Sequence, residues 1–217
     1  MKQLILNQKE FWNDAASLSA AFLSSIFFGL SLVANYYAGI YATIKASNPV
    51  TDIILDNIRV YDVDTIFIYG PIALWIFVAI LCFVKPKRIP FILKSIALFV
   101  FTRSVFISLT HIAPSLTVTD INYTSKIIRD FTFGGDLFFS AHTGLPFLMA
   151  LIFAKNRTLL ILFTLTAIFF GVIVLMGHVH YSIDVLSAFF ITYTIFHLAK
   201  YFFKKDWEAF DGQSLHQ

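Results

Sequence analysis

One cysteine in 217 residues, Cys82 inside an apolar run, excludes an intrachain disulfide and any metal site built from cysteines. It reads as a small buried apolar residue. Charge is scarce as well: Asp, Glu, Lys and Arg make up 13% of the chain, against ~25% in a soluble domain. The net charge of +3 is small and no dense basic tract accompanies it, so the sequence implies no nucleic-acid partner. The N-terminus does not read as a cleavable leader either. Glu10, Trp12 and Asp14 interrupt the N-terminal region, and no small-residue cleavage site follows a short apolar core. The first long apolar run therefore reads as a retained helix. Internal repeats and low-complexity tracts are absent, and nothing in the sequence sets an oligomeric state.

Apolar residues fill the space that charge leaves. Hydrophobic residues are 58% of the chain, and 26 of them are Phe, a composition suited to a chain whose solvent is largely lipid. A helix needs roughly 20 mostly apolar residues to cross the hydrocarbon, and six stretches qualify. They run over about 15–43, 65–84, 89–110, 137–154, 159–176 and 181–203. The expected fold class is an all-α, polytopic membrane protein with six transmembrane helices. Residues 1–14 form a cytoplasmic N-terminal segment, 15–203 a transmembrane catalytic domain and 204–217 a cytoplasmic tail. The linkers are uneven: 85–88, 155–157 and 177–180 are short turns, whereas 44–64 and 111–136 are long, as functional loops often are.

Orientation follows from the Lys/Arg bias of the loops. With the N-terminus inside, the inner segments hold Lys2, Lys9, Lys85, Lys87, Arg88, Lys155, Arg157, Lys200, Lys204 and Lys205. The outer segments hold Lys45, Arg59, Lys126 and Arg129. Both termini are then cytoplasmic, and both long loops and the turn before His180 are outside.

Ionisable residues inside spans are costly and point to function. Lys94 is close enough to the inner end of its span to snorkel. Arg103 sits past the midpoint of the third span, with Thr110 and His111 expected on the same helical face, an outward polar stripe facing a water-filled cavity. Asp184 follows His180 by four residues, so on a helix its carboxylate can reach the imidazole and fix its tautomer. The run Gly134–Thr143 leads with glycines into a helix start, with Asp136 as the expected cap. Free N–H groups there, with the Ser140 hydroxyl, suit a phosphate, and His142 lies in the first turns. His178 reads as a loop or supporting residue, His197 as a packing residue satisfied by a neighbouring helix, and His216 as inert. The charge-derived topology puts Arg103, the Asp136–His142 run and the His180–Asp184 pair at the outer ends of three helices. Two histidines, one backed by a carboxylate, with an arginine and a helix start, suit phosphoryl transfer: one imidazole attacks phosphorus and the other protonates the leaving oxygen. The competing chemistry is zinc held by His142, His178, His180 and Asp184. It is disfavoured because side chains at i and i+2 diverge on a helix and no cysteine assists.

Four motifs carry a resemblance. Gly135-Asp136-Leu137-Phe138-Phe139-Ser140-Ala141-His142-Thr143 resembles the Gly-Asp-x-x-x-Ser-Gly-His-Thr signature of the sphingomyelin synthase family. His180-Tyr181-Ser182-Ile183-Asp184-Val185 resembles its His-Tyr-Thr-Ile-Asp-Val. Arg103-Ser104-Val105-Phe106 is similar to its arginine motif, and Pro49–Asp56, which contains Asp52, to its Pro-Leu-Pro-Asp motif. Ala141 replaces a glycine, Thr51 a proline, and Gly134 stands where a cysteine is common.

The resemblance implies a six-helix bundle of the PAP2-like lipid phosphate phosphatase clan. His180 would be the nucleophile, Asp184 its orienting partner and His142 the acid/base. Arg103, Asp136, Ser140 and Asp52 would bind phosphate or substrate, and no metal or other cofactor would be required. Its partners would be a phospholipid donor and a lipid alcohol acceptor. The headgroup, phosphocholine or phosphoethanolamine, would pass from a glycerophospholipid to ceramide or a similar alcohol. Two other readings stand beside it: a PAP2-type phosphatase with water as acceptor, and a non-catalytic membrane binding or transport protein. The clan's phosphatases usually carry an arginine six residues before the nucleophilic histidine, where this chain has Val174 preceded by Ile173. Their Lys-x6-Arg-Pro motif is missing as well, since Lys94 and Arg103 are nine apart and Ser104 follows.

Overall fold

A computed structural model of the chain describes residues 2–116 and 135–212. Lys126, Arg129, Gly134 and His216 lie outside the described residues, as does the side chain of Lys2. The described residues form eight α-helices: α1 (Lys2–Trp12), α2 (Ala15–Lys45), α3 (Asp64–Val84), α4 (Ile89–Leu109), α5 (Ala141–Ile152), α6 (Arg157–Met176), α7 (Ser182–Phe202) and α8 (Lys204–Asp211). Short 3₁₀ turns occupy Leu55–Asn57 and Pro86–Arg88. The chain is an all-helical, polytopic membrane protein. Five helices (α2, α3, α4 with the 3₁₀ turn before it, α6 and α7) are long and apolar enough to cross a membrane.

Local chemistry sets several helix ends. Asp14 caps α2 by accepting from the Ser17 N–H at 2.9 Å, and Asn156 caps α6 by accepting from Leu159 N–H at 3.1 Å. Pro90 sits in the first turn of α4, where its missing N–H costs nothing. At the other end of α6, His178 adopts a left-handed φ of 54° and closes the turn into His180.

Three expectations are corrected. The fourth span begins at Ala141, not Leu137, and ends at Ile152. Its 12 residues reach about 18 Å, short of the ~30 Å hydrocarbon layer. Residues 136–140 stay outside the helix because their polar groups are bound elsewhere, as described below. The third span ends at Leu109, so Thr110 and His111 do not extend the Arg103 face as a helical stripe. His111 instead meets the Tyr41 ring edge-on at 5.7 Å. His197 is exposed and its ring contacts are with Tyr193 and Phe196 of its own helix, because it lies off the face that α7 turns to the bundle.

The packing puts α2 along α4, wedges α5 between α6 and α7, and brings α4 against α7. α4 has more buried residues than any other described helix, among them Phe91, Ile92, Ser95, Ala97, Phe99 and Arg103. Gly144 of α5 allows the close approach, since a Cβ there would lie 2.6 Å from the Phe99 ring and 2.8 Å from Thr192 Oγ1. α2 and α3 are peripheral, and their exposed Phe22, Leu30, Val33, Ile76 and Ile80 suit a lipid-facing surface.

The two ends of the bundle differ in chemistry. At one end α1, α8 and the 85–88 turn meet, with ion pairs Lys87–Glu10 at 2.5 Å, Lys94–Asp206 at 2.6 Å and Lys155–Asp211 at 2.6 Å. Lys94 thus pairs with α8, and its side chain is only 18% exposed. Cys82 is half-buried on α3. The opposite end gathers residues 50–56, 135–142 and 180–184.

Candidate active site

The site grows from two chain reversals that meet. In the first, the chain leaves α6 through Gly177–His180 and enters α7 at Ser182. His180 and Asp184 are both buried, 6% and 0% exposed, with His180 Nδ1 3.5 Å from Asp184 Oδ2. That separation is electrostatic contact, longer than a strong hydrogen bond. The same Oδ2 accepts the Tyr181 N–H at 3.0 Å, so the helix's own N-terminal turn fixes the carboxylate. Asp184 Oδ1 is buried with no hydrogen-bond partner among the described residues. Because Asp184 lies at Nδ1, the ring's Nε2 is the nitrogen left to face a reactant.

In the second, residues 135–140 lead through a turn at Gly135 and a bend at Phe138–Phe139 into α5. Gly135 is required there: a Cβ would lie 2.7 Å from Thr43 Cα and 2.8 Å from the Ala42 carbonyl. Its N–H donates to Thr43 Oγ1 at 3.2 Å. Arg103 then holds the segment from α4. Its Nε donates to the Phe139 carbonyl at 3.0 Å, its Nη1 to Asp136 Oδ2 at 3.0 Å, and its Nη2 to the Asp136 carbonyl. Asp136 is therefore the partner of Arg103 and not the cap of α5. Ser140 occupies the N-cap position, completely buried, and its hydroxyl has no partner among the described residues.

The two reversals are joined directly, because the Ser140 N–H donates to the Asp184 carbonyl at 3.0 Å. His142 follows in the first turn of α5. Its Nε2 lies 3.3 Å from the Phe67 carbonyl, and its ring stacks on Phe67 with centroids 4.2 Å apart. A carbonyl only accepts, so this contact puts a proton on Nε2 and leaves Nδ1 free to take and give one. An apolar groove of about 80 Å³ between Trp75, Leu145, Pro146 and Phe170 opens beside the His142 ring.

Residues 134–201 match the family model described as PAP2 superfamily C-terminal. The matched segment holds Ser140, His142, His180 and Asp184, while Asp52 and Arg103 precede it. The match supports the PAP2-like clan, and with it an enzyme of phosphate-ester chemistry, of the phosphatase or phosphotransferase type, on lipids. No curated protein and no solved structure matches the chain significantly.

Ahead of the PAP2-like segment, Asp52 reaches the same end of the bundle. Its Oδ2 accepts from the Ser182 N–H and the Ser182 hydroxyl, each at 2.7 Å. Its Oδ1 accepts from the N–H groups of Ile54 at 2.8 Å and Leu55 at 3.1 Å. Burial opposes its ionisation, but these four bonds outweigh it and hold the carboxyl below its ordinary range. Sequence reasoning did not single out Phe67 or Ser182 as site residues. Ser182 had a signal, being the first residue of the helix that follows His180. Phe67 had none, because it acts through its backbone and ring face. Among the described residues, no three of His, Cys, Asp and Glu converge as metal ligands.

Proposed function

We propose that this chain is a lipid headgroup phosphotransferase working through a phosphohistidine at His180, with the 15–203 region as its transmembrane catalytic unit. The observation that best supports this is the Ser140-to-Asp184 backbone bond. It sets the start of α5, with its free N–H groups and the unpartnered Ser140 hydroxyl, beside the His180–Asp184 pair.

In the first half-reaction His180 Nε2 attacks the donor phosphorus, the N–P bond forms and the P–O bond to diacylglycerol breaks. His142, protonated on both nitrogens, gives its Nδ1 proton to the departing oxygen. Asp184 balances the charge that develops on the His180 ring. In the second half-reaction an acceptor hydroxyl gives its proton back to His142 Nδ1 and attacks phosphorus. The O–P bond forms, the N–P bond breaks and His180 is free again. The non-bridging oxygens rest on the Ser140 hydroxyl and the first N–H groups of α5. Arg103 contributes its charge from behind the 136–140 segment.

A site held chiefly by N–H and O–H donors suits a monoanionic phosphodiester better than a phosphomonoester dianion, because less charge needs balancing. The phosphodiester is the donor of a headgroup transferase, phosphatidylcholine or phosphatidylethanolamine, and ceramide or a similar lipid alcohol is the acceptor. With both termini on the cytoplasmic side, the reaction takes place on the outer face of the membrane.

The test is purified protein in mixed micelles with labelled phosphatidylcholine or phosphatidylethanolamine, with and without ceramide. Transfer of label to the lipid alcohol, with slow hydrolysis as a side reaction, is expected. Rapid phosphate release from phosphatidic acid without headgroup transfer from either donor would replace this reading with a phosphatase. No turnover of any lipid phosphate would favour a binding or transport protein.

A further inference from the structure

We propose that Asp52 is a positioning residue: its carboxylate, brought in on the α2–α3 loop, caps the first turn of α7 and so holds Asp184 against His180. The inference rests on the reading of His180 as the nucleophile.

The first N–H groups of any helix lack intrahelical partners. In α7 one of them, Ser182 N–H, is met from a loop 130 positions earlier in the chain, by Asp52 Oδ2, which accepts the Ser182 hydroxyl as well. Asp184 lies two residues further on, and its Oδ2 faces both the Tyr181 N–H and His180 Nδ1. The cap thus acts on the turn that carries the catalytic carboxylate. The loop is braced to do so. Val50 N–H donates to the Tyr181 hydroxyl at 3.3 Å, and that hydroxyl donates to the Ala113 carbonyl at 2.9 Å. Leu55 packs with Leu137 and Tyr181 in a buried cluster. Asp56 closes the loop on itself, its N–H donating to the Asp52 carbonyl at 2.8 Å and its Oδ2 accepting the Asp52 N–H at 3.0 Å.

Chemistry argues against a direct role on the substrate. Asp52 is 7% exposed, both its oxygens are already doubly engaged, and a carboxylate repels phosphate. The same four bonds explain why Asp is needed. An amide has one accepting oxygen, so Asn in either orientation would turn its NH₂ group toward at least one backbone N–H donor. Asp52→Asn should therefore fail nearly as badly as Asp52→Ala.

The experiment combines kinetics with hydrogen exchange on the full chain in detergent micelles. Asp52→Asn and Asp52→Ala should each lower kcat about 100-fold, the scale of a small misplacement of reacting groups, with the donor KM held within about twofold. Amides at 181–185 should exchange faster while the other helices keep their protection. Ser182→Ala, a milder change that protects the test against misfolding of the Asp52 variants, should move kcat and exchange in the same direction by less. Added to Asp52→Ala it should cost little more. A donor KM raised about tenfold, with kcat and exchange unchanged, would make Asp52 a substrate contact and overturn the proposal. Unchanged kcat and unchanged exchange would overturn it equally. Should the wild-type protein turn over no lipid phosphate, the proposed function fails, and exchange at 181–185 alone decides whether Asp52 caps α7.

Discussion

Arg103 offers the sharpest perturbation, because two roles for it predict opposite measurements. If its guanidinium held the donor phosphate, Arg103→Lys would retain the charge, raise the donor KM and leave stability alone. The geometry points elsewhere: all three guanidinium nitrogens donate to the 136–139 segment, and the side chain is 7% exposed. Lysine keeps the charge but loses the planar fork, so one ammonium cannot reach the Phe139 carbonyl and both Asp136 oxygens together. Hydrogen bonds involving a charged group contribute ~1.5–3 kcal/mol each, and breaking a buried pair costs ~3–5 kcal/mol. Asp136 is 22% exposed, so part of that loss is recovered from water, and the lower end, about 3 kcal/mol, is expected. At roughly 2–4 °C per kcal/mol for a chain of this size, Tm should fall by about 6–12 °C in a fixed detergent. Asp136→Asn should fall by a similar amount, and the double variant by less than the sum, because each single change leaves a buried partner unmatched. A thermal melt of the three variants is the assay. Unchanged Tm in Arg103→Lys, with a raised donor KM, would refute the reasoning and return Arg103 to the phosphate.

The remaining expectations concern the histidines, the backbone, acidity and topology. His180→Ala should abolish labelled phosphoenzyme and lower turnover by ~10⁴-fold or more, and Asp184→Asn by ~10³–10⁴-fold through a misoriented ring; near-normal turnover of His180→Ala would end the mechanism. Gly135→Ala places a Cβ 2.7 Å from the α2 backbone, so about 1–3 kcal/mol of stability and much of the activity should go; an unaltered melt would contradict the close packing. Asp52 has a lowered pKa in the folded chain, so its contribution is fully present above the ordinary value of 3.8 and is lost as pH falls through the folded value. Wild type should therefore outlast Asp52→Asn at neutral pH, with the gap in Tm closing only below about pH 3.8; a gap that widened with acid would have the wrong sign. In a Cys82→Ala background, a cysteine at position 155 should resist impermeant reagents added outside sealed cells; labelling there would invert the orientation.

The bundle was legible because long apolar runs leave little choice in lipid, where every backbone group must be satisfied within a helix or by protein. The exception is instructive. Hydropathy alone extends the fourth span back to Leu137, since Leu137, Phe138 and Phe139 are as apolar as any helix. The chain stays out of the helix there because partners from elsewhere meet its polar groups: Arg103 takes the Asp136 and Phe139 carbonyls, and the Asp184 carbonyl takes the Ser140 N–H. Those partners lie 33 to 44 positions away, and no local pattern announces them. The i, i+4 spacing of His180 and Asp184 was readable, because a helix start places such a pair side by side.

Asp52 and Arg103 stand out in the sequence as candidate phosphate- or substrate-binding residues, and in the structure both are met by protein groups. A charge near a phosphoryl-transfer site invites the substrate as its partner, but a sequence does not reveal whether the protein has already supplied one. Here it has. The carboxylate of Asp52 is filled by the α7 N-terminus, and the guanidinium of Arg103 by the approach to α5. The charged residues thereby hold the two reversals in register, while the buried side-chain atoms left unmatched beside them among the described residues include the hydroxyls of Ser140 and Thr143 and one oxygen of Asp184, next to the N–H groups of a helix start. A site whose strongest charges face the scaffold presents a weakly charged cradle to its reactant. That distribution, more than any single residue, is the argument for a phosphodiester donor.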